Sequence, residues 1–209
     1  MQQTSLFTLE SSQAYEFSNR RIVGVDEVGR GPLIGDVVAA AVILPEDFEL
    51  KLKDSKKLSH QKRLELAEQI KHQALDYAIV GIGAQQIDEL NILQATLLAM
   101  KTAVEQLSIS FDQVLVDGNR CPNLNCPCEA IVKGDGLIAS ISAASILAKV
   151  YRDQQMDELH KLFPMYGFNQ HKGYPTTAHL AAIEKYGLIE GYRKSFKPIR
   201  QTYESRARL

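Results

Sequence analysis

Arg21-Ile22-Val23-Gly24-Val25-Asp26-Glu27-Val28-Gly29-Arg30-Gly31-Pro32 sets a short β-branched run against an acidic pair and a glycine-arginine-glycine turn. The run through Asp26 reads as a strand closed by glycine. A second apolar run, Ile34 to Leu44, stops at Pro45 and is almost continuous, which is the pattern of a strand buried on both faces of a helix-covered sheet. Only Glu27 to Leu33 lies between the two, too short for a crossover helix, so the strands are expected to pair antiparallel. Two adjacent carboxylates at the end of an apolar run are costly to desolvate unless they bind cations or stay near water. Neighbours on a regular strand face opposite sides, so Asp26 and Glu27 can serve one site only where the strand ends or bulges.

Outward from this stretch, Tyr77 to Ala84 reads as a third strand, Gln113 to Val116 as a fourth and Glu129 to Lys133 as a fifth. Ser59 is placed to cap a helix running to about Ala74, and Asn91 to open another with Leu93, Leu97, Leu98, Met100, Val104 and Leu107 at helical spacing. Ser140 to Leu162 forms a long helix, and Thr177 to Lys185 a shorter one among proline and glycine loops. The chain is therefore expected to be α/β, a mixed five-stranded sheet flanked by helices. Residues 1–209 read as one domain, with a loose lead-in over 1–20 and a C-terminal helical and loop portion from about 160.

With 209 residues, 45% of them hydrophobic, the chain can bury a full core. No stretch reaches the roughly 20 apolar residues of a membrane helix, and the polar start lacks a secretory layout, so a cytoplasmic protein is expected. The net charge of −1 argues against binding nucleic acid by bulk charge alone, yet it divides as −6 over residues 1–148 and +5 over residues 149–209. An acidic part followed by a basic tail suits a polyanionic substrate, although asymmetry of this size also arises by chance. Cys121, Cys126 and Cys128 are odd in number, lack the paired spacing of a zinc site, and read as reduced loop thiols.

Acids recur where strands end: Asp26-Glu27, then Asp117-Gly118, then Gly134-Asp135-Gly136. Singly, Asp117 and Asp135 are ordinary turn residues. Together with Asp26-Glu27 they offer four hard oxygen ligands at one edge of a sheet, the donor type that Mg²⁺ or Mn²⁺ takes. Gly29 and Gly31 let backbone approach a ligand, and Arg30 supplies a planar fork for phosphate. Lys56 and Lys57 read as phosphate contacts or as a solvated loop, and Lys149 with Arg152 as a helix face toward nucleic acid or plain solvent. The Tyr174 ring is suited to stacking on a sugar or to filling core, and His171 to plain surface.

Val25-Asp26-Glu27-Val28-Gly29-Arg30-Gly31-Pro32, Asp54-Ser55-Lys56-Lys57-Leu58, Val116-Asp117-Gly118-Asn119, Lys133-Gly134-Asp135, Ser142 to Asp153 and His171-Lys172-Gly173-Tyr174-Pro175-Thr176 together resemble bacterial ribonuclease HII. The motifs follow the family order over most of the chain. The resemblance implies an RNase H-like fold and hydrolysis of RNA strands in RNA-DNA hybrids, including single ribonucleotides embedded in duplex DNA. It implies cleavage on the 5′ side of the ribonucleotide, leaving 3′-hydroxyl and 5′-phosphate ends. By position, Asp26, Glu27, Asp117 and Asp135 would be the metal-binding set, holding two ions of Mg²⁺ or Mn²⁺ when substrate is bound. Gly29, Arg30 and Gly31 would read the ribose 2′-hydroxyl and nearby phosphate, and Tyr174 would pack on the sugar at the RNA-to-DNA junction. Lys56, Lys57, Lys149 and Arg152 would add substrate contacts. The expected partners are hybrid and ribonucleotide-bearing duplex, with no membrane and a monomeric chain. The rivals are ribonuclease HIII or a resolvase-like nuclease of the same fold, and a non-catalytic hybrid-binding module.

Overall fold

A computed structural model of the chain describes residues 20–50, 52 and 59–206. The lead-in over residues 1–19 and the loop bearing Lys56 and Lys57 lie outside them.

Five strands form one mixed sheet: β1 (Ile22–Val28), β2 (Val37–Ile43), β3 (Asp76–Ile82), β4 (Gln113–Asp117) and β5 (Cys128–Ile131). Their spatial order is β3-β2-β1-β4-β5. The hairpin of β1 and β2 and the pair of β2 and β3 are antiparallel, whereas β4 and β5 run parallel to β1. The short β1–β2 connection enforces the first relation. Longer connections allow the second.

The all-apolar β2 lies in the interior of this sheet, every residue buried, with helices on both faces. On one face Val23, Val25, Ala39, Ala41, Val114 and Val116 pack with Ala95, Ala99 and Ala103 of α3 (Ile92–Glu105). On the other, Val38, Ala40 and Val42 meet Ala143, Ala144 and Leu147 of α4 (Ala139–Leu162), together with Ala67 and Ile70 of α1 (His60–Gln73). Small residues on the helices let them lie close to the sheet.

Both expected caps are formed: the Ser59 side chain accepts from the Lys62 N–H, and that of Asn91 from the N–H groups of Leu93 and Gln94. A short helix absent from the sequence reading, α2 (Ala84–Leu90), follows β3, and its cap is Gly83, which offers no side-chain signal. The stretch expected as strand from Ile34 joins the sheet only at Val37. Ile34 instead forms a lone bridge with Tyr192.

After α4 the chain builds a third cluster. Leu33, Ile34, Tyr166, Phe168, Ile183, Tyr192 and Ile199 close around α5 (Phe168–His171), α6 (Thr177–Tyr186) and the start of α7 (Lys197–Arg206). The β1–β2 connection is thus packed against the C-terminal portion. None of the described helices is long and apolar enough to cross a membrane.

Candidate active site

The register Val25↔Val116 fixes the acids of β1 and β4 relative to one another. Both valines pack on the α3 face, so the next residue on each strand, Asp26 and Asp117, turns toward the α4 face. The parallel pairing ends at that register, and the two strands present their carboxyl ends side by side. Gly24 brings α4 onto β1 here. A β-carbon at Gly24 would lie 2.2 Å from the Ile141 nitrogen, so only glycine permits the approach. One turn further along α4, Ser145 hydrogen-bonds Asp26.

A hollow of about 410 Å³ opens at this point, lined by Asp26, Glu27, Val28, Arg63, Asp117, Ser145, Ile146 and Lys149. Asp26 and Glu27 reach it although β1 has no bulge there: Asp26↔Ala40, Glu27↔Ala39 and Val28↔Val38 remain in regular register. Pairing on the β4 side stops at Val25, so that edge of β1 is open beyond it and the Glu27 side chain reaches the hollow from there. Asp135 enters differently. It lies in a 3-10 turn (Gly134–Gly136), its backbone N–H donates to Asp117 Oδ1 at 3.4 Å, and it lines the adjoining hollow with Leu50, Leu52 and Ser142. Three acids line one hollow and the fourth is tied to its edge through Asp117. Among the described residues no three His, Cys, Asp or Glu side chains already stand as a finished metal cage.

The electrostatics favour a cation. Burial pushes the Asp26 carboxyl up to about 8, and the charges of Glu27 and Asp117 add to it. The Ser145 contact and the Glu27 N–H, 2.7 Å from Asp26 Oδ1, work the other way. Burial also raises Glu27, opposed by Arg30, whose Nη1 is 3.4 Å from Glu27 Oε1, and assisted by Asp117. Hard carboxylate oxygens that repel one another around a shared hollow match the donor chemistry of Mg²⁺ or Mn²⁺. Bound charge of opposite sign would relieve the repulsion.

Asp153 gathers two cations that line the same hollow: Lys149 Nζ at 2.5 Å and Arg63 Nη1 at 3.9 Å. Lys149 therefore stands beside the acids. Arg152 does not join it on an open face, a correction to the expectation of a shared surface. It is 2% exposed and donates to the backbone oxygens of Asp36 (2.9 Å) and Ile34 (2.7 Å). Those bonds hold the segment before β2 away from the sheet.

Next to the hollow is the glycine turn. Gly29 has φ of +90°, a conformation that a residue with a β-carbon resists. Gly31 lies under the Tyr174 ring, whose Cε1 would be 3.1 Å from any β-carbon there. Tyr174 is 45% exposed and shares an open surface with the exposed Arg30 and Gly31, whereas Gly29 is buried. His171 is half-buried rather than plain surface, with Nε2 2.7 Å from the Tyr166 oxygen. Cys121, Cys126 and Cys128 are free thiols, and burial raises Cys128. Sequence reasoning missed Ser145 and Arg63 as site residues. The signal for Ser145 was its place one helical turn beyond the Gly24 contact, invisible before the packing was known. Arg63 carried no local signal at all.

The family profile described as Ribonuclease HII matches residues 23–199. The chain belongs to the ribonuclease HII family. The ribonuclease HII of Hydrogenovibrio crunogenus is 64% identical over 179 residues, covering 86% of this chain and 86% of that protein. Among solved structures, ribonuclease H2 from Pyrococcus horikoshii OT3 superposes with a TM-score of 0.77 at 24% identity, covering 90% of this chain and 100% of that one. Bst-RNase HIII in complex with Mn²⁺ gives a TM-score of 0.76 at 17% identity, covering 100% of this chain and 77% of that one. These two likenesses establish the RNase H-like fold expected from the motifs. Membership makes the chain an enzyme, a metal-dependent endonuclease of the type 2 ribonuclease H family, and implies ribonuclease H activity on RNA-DNA hybrids.

Proposed function

We propose that this ribonuclease HII cuts on the 5′ side of single ribonucleotides embedded in duplex DNA as well as within RNA-DNA hybrids, leaving 3′-hydroxyl and 5′-phosphate ends. The observation that carries the reading is the shared hollow of Asp26, Glu27 and Asp117 beside the Gly29-Arg30-Gly31 turn and the exposed Tyr174 ring. Asp26, Glu27 and Asp117 would hold divalent ions there, with Asp135 completing the donor set from the next turn. Two such ions, when bound, make the attacking water more acidic and stabilise charge on the leaving 3′-oxygen.

The protein's own groups do the rest. Gly29 sets the turn and the exposed Gly31 admits the ribose to backbone distance, where the 2′-hydroxyl, both donor and acceptor, distinguishes RNA from DNA. Arg30, exposed and only loosely paired with Glu27, is free to turn its guanidinium to a phosphate. Lys149 and Arg63, which line the same hollow, offer positive charge to the nucleic-acid backbone. Tyr174 offers its ring to the sugar at the junction. We take the active form to be a cytoplasmic monomer that uses Mg²⁺ or Mn²⁺.

Duplex DNA bearing one ribonucleotide, incubated with Mg²⁺ or Mn²⁺ and then with chelator, tests the reading. Metal-dependent incision 5′ to the ribonucleotide is expected. Binding without incision would reduce the protein to a hybrid-binding module. Replacing Tyr174 by alanine should reduce cutting at a single ribonucleotide more than cutting of long hybrids, and equal losses would remove its junction role.

A further inference from the structure

Behind the glycine turn lies Arg193, fully buried, its guanidinium held by three backbone oxygens. Its Nη2 donates to the Gly29 oxygen at 2.6 Å, its Nη1 to the Arg30 oxygen at 3.1 Å and its Nε to the Gly35 oxygen at 3.0 Å. A buried guanidinium is expensive, and burial pushes this one down to about 9, with neighbouring Arg152 adding to the effect. The position has a directional consequence. No peptide here is cis, and a trans peptide sets its N–H opposite its C=O. Drawing the Gly29 and Arg30 oxygens inward therefore aims the N–H groups of Arg30 and Gly31 away from Arg193.

The preceding residue ties down the other half of the same surface. The Tyr192 hydroxyl is 2.8 Å from His179 Nε2, and His179 Nδ1 is 2.9 Å from the Tyr174 oxygen. A carbonyl only accepts, so Nδ1 carries the proton and Nε2 accepts from Tyr192. His179 is buried and stacks on His171 with ring centroids 4.2 Å apart. The backbone of the dipeptide is anchored as well: the Arg193 N–H donates to the Leu33 oxygen at 2.9 Å.

We propose that the buried pair Tyr192-Arg193 is a positioning device that holds the glycine turn and Tyr174 in mutual register, so that both meet one ribose. This rests on the proposed reading of that surface as the ribose contact. Neither residue touches substrate; Arg193 acts through the turn and Tyr192 through His179 and Tyr174. Lysine at 193 cannot supply three donors in a fixed plane, and phenylalanine at 192 removes only the hydroxyl.

The test compares wild type, Arg193→Lys, Tyr192→Phe, Tyr174→Ala and the double variant Tyr192→Phe/Tyr174→Ala on duplex DNA with one ribonucleotide. Misplacing a binding group by about 1 Å can cost on the order of 100-fold, so Arg193→Lys is expected to lose roughly 10–100-fold in kcat/KM. Tyr192→Phe should lose about tenfold in kcat/KM, with a melting temperature a few degrees lower because His179 Nε2 loses its donor, and add little to the activity loss once Tyr174 is already alanine, because it acts through that residue. The Mg²⁺ concentration for half-maximal rate should stay the same in each. Full multiplication of the Tyr192 and Tyr174 effects, or wild-type kcat/KM in a folded Arg193→Lys, overturns the proposal. Should Arg193→Lys not fold, the Tyr192 and Tyr174 pair decides alone. A wild-type protein unable to incise the duplex would instead overturn the functional reading.

Discussion

A β-carbon on Gly24 would stand 2.1 Å from the carbonyl carbon of Ser140. That contact between a strand and a helix backbone sets the height of α4 above β1, and with it the position of Ser145 over Asp26. Gly24→Ala forces the helix away from the sheet, since neither backbone can yield as a side chain can. We expect a loss of about 3 kcal/mol or more in urea unfolding, with activity falling in step. Unchanged stability would mean that α4 moves freely on the sheet.

Asp26 has a pH signature. In the unfolded chain its carboxyl releases a proton near 3.8, whereas the folded protein holds it until about 8. Over that interval the folded state binds more protons, so this group's contribution to stability declines as pH rises. Asp26→Asn removes the decline. Its melting temperature in chelator should exceed that of wild type at pH 8 and lose the advantage toward pH 4, by about 2–4 °C for each kcal/mol involved. Adding Mg²⁺ should raise the wild-type value at pH 8 and leave the variant nearly unmoved. Cleavage should fall by about 10³-fold, the equivalent of ~4 kcal/mol of transition-state stabilisation.

Lys149 and Arg152 are three residues apart on α4 and should fail in opposite ways. Lys149→Ala removes a cation lining the acidic hollow. It should weaken substrate binding, flatten its salt dependence and leave the melting temperature close to wild type. Arg152→Ala strips two buried backbone oxygens of their donors at a cost of about 1–3 kcal/mol each, so the melting temperature drops by several degrees. A purely affinity-based defect in Arg152→Ala would place that side chain on the substrate after all.

His179 adds a slope of the other sign. Burial pushes it down to about 4, so the unfolded chain takes up a proton near 6.5 that the folded protein refuses until pH is much lower. Between those values the unfolded state binds more protons, and stability falls as pH falls. Urea unfolding from pH 7 to pH 5 should show this loss, up to about 1–2 kcal/mol, shrinking in His179→Asn. An identical slope in the variant would show that the imidazole titrates normally in the folded protein.

Much of the frame was legible because it is written locally. The valine and isoleucine runs marked β1 and β2, and the seven-residue gap between them dictated their pairing. Ser59 and Asn91 announced helix starts through side chains that need no tertiary context. What stayed hidden was long-range. The helix at Ala84–Leu90 has a glycine cap, so nothing in its own sequence marks the boundary with β3. Ile34 looked like strand of the main sheet, and only partners far along the chain, Arg152 on its oxygen and Tyr192 at its bridge, explain why it is not. Arg193 read as one more basic residue in a basic tail, yet it is buried beneath the turn. Asp135 was legible as an acid at a strand end, whereas its approach to Asp117 depends on a 3-10 turn that the dipeptides alone do not specify.

The separation between Arg193 and the Gly29 oxygen it holds is 164 residues. During synthesis the amino-terminal strands leave the ribosome long before residue 193 does. A nascent chain can therefore form its β1–β2 hairpin and part of its acidic cluster while the turn at Gly29-Arg30-Gly31 still lacks its lock. On the proposed reading of that turn, ribose recognition would become available only once residue 193 has arrived. On that reading, an unfinished copy, or one truncated before Tyr192, would carry the acids of a nuclease without the means to choose where to cut.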